Sequence, residues 1–360
     1  MLIGVSTIKD TLPHVTRFVA GNLAGGLDHL VVFLDQPRAP GQDEVADYLD
    51  KQPAVTCVRA GRSWWGEQRP AGLNERQCIN ATVVSHLLAD LGETGGCEWV
   101  FHVDGDEVVR IDSALLASVP EKFAAVRLAP REAVSRLVWD GEPTLFKRPL
   151  DEPDLRLLHV LGAIAEPTNQ AYFHGHLQGK AGVRPRTGTW LGLHKAITDS
   201  RTQAATFEDE RLELFHYESY SGEEFVRKWS AMVTSGPRAG FRPGRAAVAD
   251  AVRTLVEKDL EPEVRRAHLL RIFASTTQDD ADTLLDLGLV LATDPLLGSH
   301  VPAPLSAAMT THLREGLKAL RGADKGAYFR GASPRAEPGA ARSGRRTGKQ
   351  RRRTLLGRTT

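Results

Sequence analysis

The chain has 360 residues, of which 46 are Lys or Arg and 45 Asp or Glu, for a net charge of +1. A hydrophobic fraction of 41% and a charged fraction of 25% are ordinary for a globular protein with a substantial core, and the length fits one large domain or two smaller ones. So even a balance excludes a nucleic-acid binder recognised by charge; no run of about 18 apolar residues exists to span a membrane, and the odd count of Cys57, Cys78 and Cys97, none in a CxxC pair, argues against a disulfide framework and fits a reducing compartment.

In chain order, residues 2–6 form a short apolar strand and 7–12 a polar turn. Residues 14–22 have helical spacing, with Val15, Phe18 and Val19 on one face, and end near Gly25 and Gly26. The run HLVVFL at 29–34 is a second strand, stopped by Asp35 and Pro37. Residues 42–50 read as helix and 54–58 as a third strand. A helix follows over 74–91, with Ile79, Val83, Leu87 and Leu88 at helical spacing, and then a fourth strand over 99–103. This alternation predicts an α/β fold with a mostly parallel sheet flanked by helices. A further strand is expected over 124–128, and short strands and loops over 131–195. Helices are expected at 223–233, 246–258, 264–274 and 281–291. The expected division is a catalytic domain over 1–222, a helical C-terminal region over 223–329 and a disordered basic tail over 330–360. Arg345, Arg346, Lys349, Arg351, Arg352, Arg353 and Arg358 cluster in that tail, with Glu337 its sole acid. Such a tail is either merely solvated or drawn to anionic lipid headgroups, at about 1 kcal/mol per basic residue near the surface. The start of the chain, MLIGVSTIKDTLPHV, shows no signal peptide. A cytoplasmic protein is expected, in weak contact with the inner membrane face if the tail binds lipid.

The chemistry centres on Asp104-Gly105-Asp106, directly after the strand EWVFHV. In an extended chain residues i and i+2 point the same way, so both carboxylates would face one ion. Gly105 between them would let a ligand approach the backbone. Ligands gather at the carboxyl ends of strands in open α/β sheets, and paired carboxylate oxygens suit Mn²⁺ or Mg²⁺. A second match, Asp280-Ala281-Asp282, falls in an expected helix, where i and i+2 do not share a face. It reads as surface charge or a helix N-cap.

The order VSTIKDTLPHV, HLVVFLDQP, NERQCINATVV, WVFHVDGDEVV resembles the family 2 GT-A glycosyltransferases. Further on, FHGHLQGKAGVRP, GLHKA and LFHYESYSGEEFVRKW are similar to a branch of that family with an "HY…S…EF…K" segment. The resemblance spans about residues 1–235 and departs at Lys9-Asp10-Thr11, where the family more often reads K-N-E. It implies the GT-A fold, a nucleotide-sugar donor (most often uridine-linked) and a Mn²⁺ or Mg²⁺ cofactor. The acceptor, a glycan or a lipid-linked glycan, is left open.

The resemblance also implies roles by position. Thr7, Lys9 and Asp35 lie on the turns that hold the nucleoside, and Arg76 and Gln77 begin the helix leading to the metal strand. Asp104 and Asp106 hold the metal, with a later histidine completing its shell; His194 is the first choice, and His174, His176 and His216 compete with it. Lys180, beside Arg184, would meet the diphosphate. Inverting transfer needs a carboxylate base, for which Glu132 and Asp140, or Glu142, are candidates. Trp64 and Trp65 would stack on a sugar or anchor a loop in the core, whereas Tyr217, Tyr220, Phe225 and Trp229 read as helix-to-sheet packing. Two rival readings are a metal-dependent phosphoesterase built on the Asp and His residues, and a non-catalytic sugar-binding relative.

Overall fold

A computed structural model describes residues 1–91, 96–234 and 243–330. The first half alternates as β1 (Leu2–Ile8), α1 (Leu12–Ala24), β2 (His29–Asp35), α2 (Gln42–Asp50), β3 (Val55–Ala60), the short α3 (Arg62–Trp65), α4 (Leu73–Ala89) and β4 (Trp99–His102). There follow β5 (Glu107–Ile111), α5 (Ser113–Ser118), β6 (Ala125–Ala133), β7 (Leu145–Lys147), α6 (Glu152–Val160), α7 (Asn169–Tyr172), β8 (Lys180–Val183), the hairpin β9 (Trp190–Leu191) and β10 (Ala196–Ile197), and the long β11 (Thr206–His216). The remainder is α8 (Gly222–Thr234), α9 (Pro243–Glu257), α10 (Pro262–Thr276), α11 (Ala281–Asp286), β12 (Val290–Ala292) and α12 (Ala307–Ala319).

The protein is α/β, with a mostly parallel central sheet flanked by helices, as the sequence predicts. The main path runs β12-β7-β6-β8-β4-β1-β2-β3, with β11 on the other side of β6 and β5 beyond it. The longest ladders, β1 with β2, β2 with β3 and β6 with β11, are parallel. Strands β1 and β2 are buried along their whole length, which is why they read as continuous apolar runs rather than alternating ones. One face is covered by α1 and α2, whose Val15, Phe18, Val19, Val45 and Leu49 pack on Val32, Leu34 and Phe101. The other face is covered by α4 and α12, with Ile79, Val83, Met309, Leu313 and Leu317 against Val5, Val31 and Phe33.

Helices α8, α9 and α10 pack through Phe225, Trp229, Val252, Leu269 and Phe273, so Phe225 and Trp229 meet other helices rather than the sheet. Tyr217 packs with Phe146 and Phe215, closer to expectation. The helix expected over 281–291 ends at Asp286, because the chain turns through Gly288 and then pairs as β12 with β7. With β12 in the sheet and α12 on α4, the helical C-terminal region folds back on the rest. Of the expected tail, all but Arg330 lies outside the described residues. The three cysteines are free, and no helix of the described residues is long and apolar enough to cross a membrane.

Candidate active site

The parallel strands β1, β2 and β4 end at one edge of the sheet, and there the Asp104–Glu107 segment joins β4 to β5. It is a tight turn: Glu107 N donates to Asp104 O at 3.1 Å, and Asp104 N to Glu107 Oε2 at 2.7 Å. The extended geometry expected of Asp104 and Asp106 is therefore absent, and their carboxylates enter two different groups of side chains that could hold a metal ion. Asp104 joins Glu107 and His176; Asp106 joins His216 and Glu218. His194 is in neither group, although its ring lies 4.1 Å from that of His176. A Cβ at Gly105 would stand 3.1 Å from Ile8 of β1, so the glycine lets the turn pack against that strand.

In the first group Asp104 accepts from Gln77 Nε2 at 2.6 Å and from Lys180 Nζ at 2.6 Å. Lys180 has no exposed side-chain surface; its ammonium also donates to Leu193 O and lies 3.9 Å from Glu107 Oε2. Burial pushes the Asp104 carboxyl up, but the Lys180 ammonium and His102 outweigh it and hold it below its usual value. Burial pushes His102 down to about 4, with the Lys180 charge acting the same way. Glu107 Oε1 and His176 Nε2 face each other at 3.4 Å, and neither has a hydrogen-bond partner among the described residues. Orphaned buried polar atoms are costly, and a divalent cation between Asp104, Glu107 and His176 would satisfy both with a donor set suited to Mn²⁺ or Mg²⁺. His194 donates Nδ1–H to Gly179 O at 3.1 Å, which leaves its Nε2 lone pair free. Burial, then Lys180 and His176, push its pKa down to about 3, so it is neutral.

In the second group a lysine stands among the acids. Lys228 of α8 donates to Asp106 Oδ2 at 2.5 Å and to Glu218 Oε2 at 3.1 Å. His216 Nε2 lies 3.5 Å from Asp106 and 3.7 Å from Glu218, and Arg245 reaches Glu218 Oε1 at 3.2 Å. Burial opposes charge on His216, yet the Asp106 carboxylate raises its pKa to about 9. The rings of His176 and His216 stack at 5.2 Å, so the two groups adjoin.

Glu132 lies directly behind. Its carboxylate accepts from His174 N at 2.7 Å and Gly175 N at 2.5 Å, and pairs with Lys147 at 3.0 Å. Lys147 is fully buried and also bonds Asp279, which in turn takes His174 Nε2 at 3.1 Å. Burial raises the Glu132 carboxyl, but Lys147 and His174 bring it below its ordinary value. With both oxygens engaged, Glu132 supports the His174-Gly175-His176 loop and is not open to a substrate proton. At Gly175 a Cβ would lie 2.6 Å from both Glu132 Oε2 and His216 Nδ1, so this close approach requires glycine. Asp140 is exposed on the loop between β6 and β7. That loop is tied down by Trp139 Nε1 donating to Tyr220 O and by Glu142 pairing with Arg17.

Of the residues expected to hold the nucleotide, Gln77 joins Asp104 in the first group, while Thr7, Lys9, Asp35 and Arg76 make separate contacts. Asp35 accepts from Arg69 and Arg76, each at 2.9 Å, while Arg76 also caps Pro70 O and Ala71 O. Thr7 Oγ1 accepts from Asn80 at 2.9 Å, and the exposed Lys9 donates to Gln36 at 2.8 Å. Trp64 and Trp65 are buried core anchors, not a sugar platform: Trp64 Nε1 donates to Asn80, and the Lys325 ammonium lies 4.2 Å over its ring. Asp280 caps α11 through Thr283 N, the bland role expected of it.

Sequence reasoning passed over Glu218, Lys147, Asp279 and Arg69, and met Lys228 only as the last residue of the HY…S…EF…K segment, with no role assigned. The i, i+2 spacing of His216 and Glu218 after a strand could have revealed Glu218. Nothing local marks Lys147 or Asp279, which meet across 132 residues.

No family model matches the chain, and no curated protein matches it. Among solved structures it is similar to a protein described as a glucose-1-phosphate thymidylyltransferase from Bacillus anthracis, at 9% identity, 52% of this chain, 72% of that one and a TM-score of 0.26. It is also similar to the inositol-1-phosphate CTP transferase from T. maritima, at 10% identity, 60% of this chain, 89% of that one and a TM-score of 0.25. Likeness at that level leaves the chemistry to be read from the residues.

Proposed function

We propose that the chain is a metal-dependent glycosyltransferase of the GT-A kind, which moves a sugar from a nucleotide-sugar donor, uridine-linked, to a glycan or lipid-linked acceptor. The observation that carries this reading is the pair of buried atoms Glu107 Oε1 and His176 Nε2, which face each other beside Asp104 without a hydrogen bond. They lie at the carboxyl edge of parallel strands, where α/β sheets take ligands. The fourfold D-G-D-E motif and the order of segments around it support the same reading. Asp104, Glu107 and His176 would hold Mn²⁺ or Mg²⁺, which as a Lewis acid supplies charge for a departing nucleoside diphosphate. Lys180 adds a fixed positive charge to that position, with its ammonium held between Asp104 and Leu193 O. Neutral His194 stands against His176 and keeps that ring in place. Thr7 and Asp35 at the carboxyl ends of β1 and β2, Lys9 on the turn after β1 and Arg76 at the head of α4 would form the nucleoside side of the site. The basic tail would add a weak attraction to an anionic membrane surface.

The test is a thermal-shift panel of nucleoside diphosphates with and without Mn²⁺. A ligand bound only by the native state stabilises it by about 2.7 kcal/mol at a hundredfold excess over Kd. UDP is expected to raise the melting temperature only with Mn²⁺, and Asp104→Asn to abolish the rise. No shift with any nucleotide under any metal would sink the reading. The presence of two Asp/Glu/His groups side by side favours one rival, a metal-dependent phosphoesterase. Release of phosphate from a generic phosphate ester, without need of a nucleotide, would favour that rival.

A further inference from the structure

Beside the proposed metal group, the Asp106 group brings together three side chains of the kinds that bind a divalent cation, and it already contains a lysine. The ligand atoms of Asp106, His216 and Glu218 lie within 4.8 Å of one another. Lys228 Nζ stands 2.5 Å from Asp106 Oδ2 and 3.1 Å from Glu218 Oε2, against the same two oxygens an ion would bind. Metal–oxygen bonds of about 2.0–2.6 Å would put an ion in the volume of that ammonium. The two cannot be there together. The first group differs: there Lys180 stands 2.6 Å from Asp104 Oδ2 but 3.9 Å from Glu107 Oε2, leaving Glu107 Oε1 and the His176 nitrogens without a hydrogen bond, whereas here Lys228 and Arg245 take both acids.

We propose that Lys228 is a built-in cation that occupies the second metal position of this site and restricts the protein to a single divalent ion. The lysine is delivered by α8, and its neighbour Arg227 bonds Asp10 at 2.9 Å on the turn after β1. The middle of α8 thus joins two turns of the sheet edge, the Asp10 turn and the Asp106 turn. A pair of carboxylates this close needs a cation to be stable, and an ammonium fixed by a helix supplies it without depending on the metal in solution. The inference rests on the metal reading above only for the first ion.

The experiment is Mn²⁺ titration of the full chain by calorimetry, with electron paramagnetic resonance counting free ion. Wild type is expected to take up a single Mn²⁺. Lys228→Met, and the neutral Lys228→Gln should the first fail to fold, are expected to take up a second. Adding Glu218→Gln to either should abolish the second ion and keep the first, while Lys228→Arg should bind as wild type does. Asp104→Asn should remove the first ion alone. Uptake of a second ion by wild type, or no additional ion in both neutral variants, overturns the proposal. A wild type that binds no ion, with variants that gain one dependent on Glu218, leaves this proposal standing and removes the metal group assigned to Asp104, Glu107 and His176.

Discussion

The Lys180 ammonium lies 2.6 Å from Asp104 Oδ2 and has no exposed side-chain surface. Removing one partner of a buried pair leaves the other charge uncompensated, at a cost of about 3 kcal/mol. Lys180→Met is therefore expected to lose about that much stability in urea unfolding without metal. Saturating Mn²⁺ should narrow the gap to wild type, because an ion on Asp104 replaces the lost charge. Equal stability of variant and wild type without metal would show that the pair is not a determinant of the fold.

A second network sets a pH window. His14 donates Nδ1–H to Asp10 at 2.9 Å and turns Nε2 to Glu224 at 3.3 Å, and Arg227 bonds both acids. Burial lowers the His14 pKa, but hydrogen bonds to Asp10 and Glu224 outweigh it, so the net shift is upward. For Glu224 burial raises the pKa, while His14 and Arg227 bring it down to about 2. A raised histidine contributes stability that is full below its unfolded value near 6.5 and lost as pH rises through the folded value. A depressed carboxylate contributes above its unfolded value near 4.5, and loses that contribution as pH falls toward about 2. The unfolding midpoint should accordingly be highest between these limits. His14→Asn should flatten the decline on the alkaline side, as a series of urea midpoints from acid to alkaline pH would show. An unchanged profile in His14→Asn would remove His14 from the account.

The parts of the fold that were legible in the sequence are those where local pattern and tertiary role agree. The apolar runs of β1 and β2 are buried on both faces, and the stripe Val15, Phe18 and Val19 lies against the sheet as its spacing requires. Strand β11 was missed because its first half, Thr206 to Glu210, carries acids and half-exposed positions and has no two-residue alternation. In the site, the importance of Asp104 was visible, but not the direction of its side chain. That depends on a turn closed by Glu107 and on Lys180, which β8 delivers from 76 residues away. Lys228 entered only as the last residue of the HY…S…EF…K segment, and its role could not be read there, since its partner Asp106 is 122 residues distant.

Glu132 and Asp140 were equal candidates for proton acceptor by position, and their surroundings now separate them. Glu132 has both oxygens in hydrogen bonds, whereas Asp140 is exposed on a loop held beside Tyr220. If Asp140 takes the acceptor's proton, Asp140→Asn should lower kcat by about a hundredfold or more with KM little changed. Glu132→Gln should instead weaken Mn²⁺ binding and stability together. A rise in KM alone for Asp140→Asn would indicate acceptor binding rather than proton transfer.

Gly175 is a tight point of the site, because its backbone passes where a methyl group would meet Glu132 Oε2 and His216 Nδ1 at 2.6 Å. Both of those atoms belong to buried residues, Glu132 held by Lys147 and His216 held against Asp106, so neither can yield easily. In Gly175→Ala the loop must move instead, and His176, the next residue, moves with it. Mn²⁺ affinity is expected to fall by about tenfold or more, in the range typical when the support of a metal ligand is disturbed. The fold should persist, since the loop is not part of either face of the sheet core. Calorimetric Mn²⁺ titration together with a melting curve checks this. Wild-type Mn²⁺ affinity in Gly175→Ala would mean that His176 is not a ligand, and would point to His194, whose ring stands 4.1 Å from it, as the histidine that completes the shell.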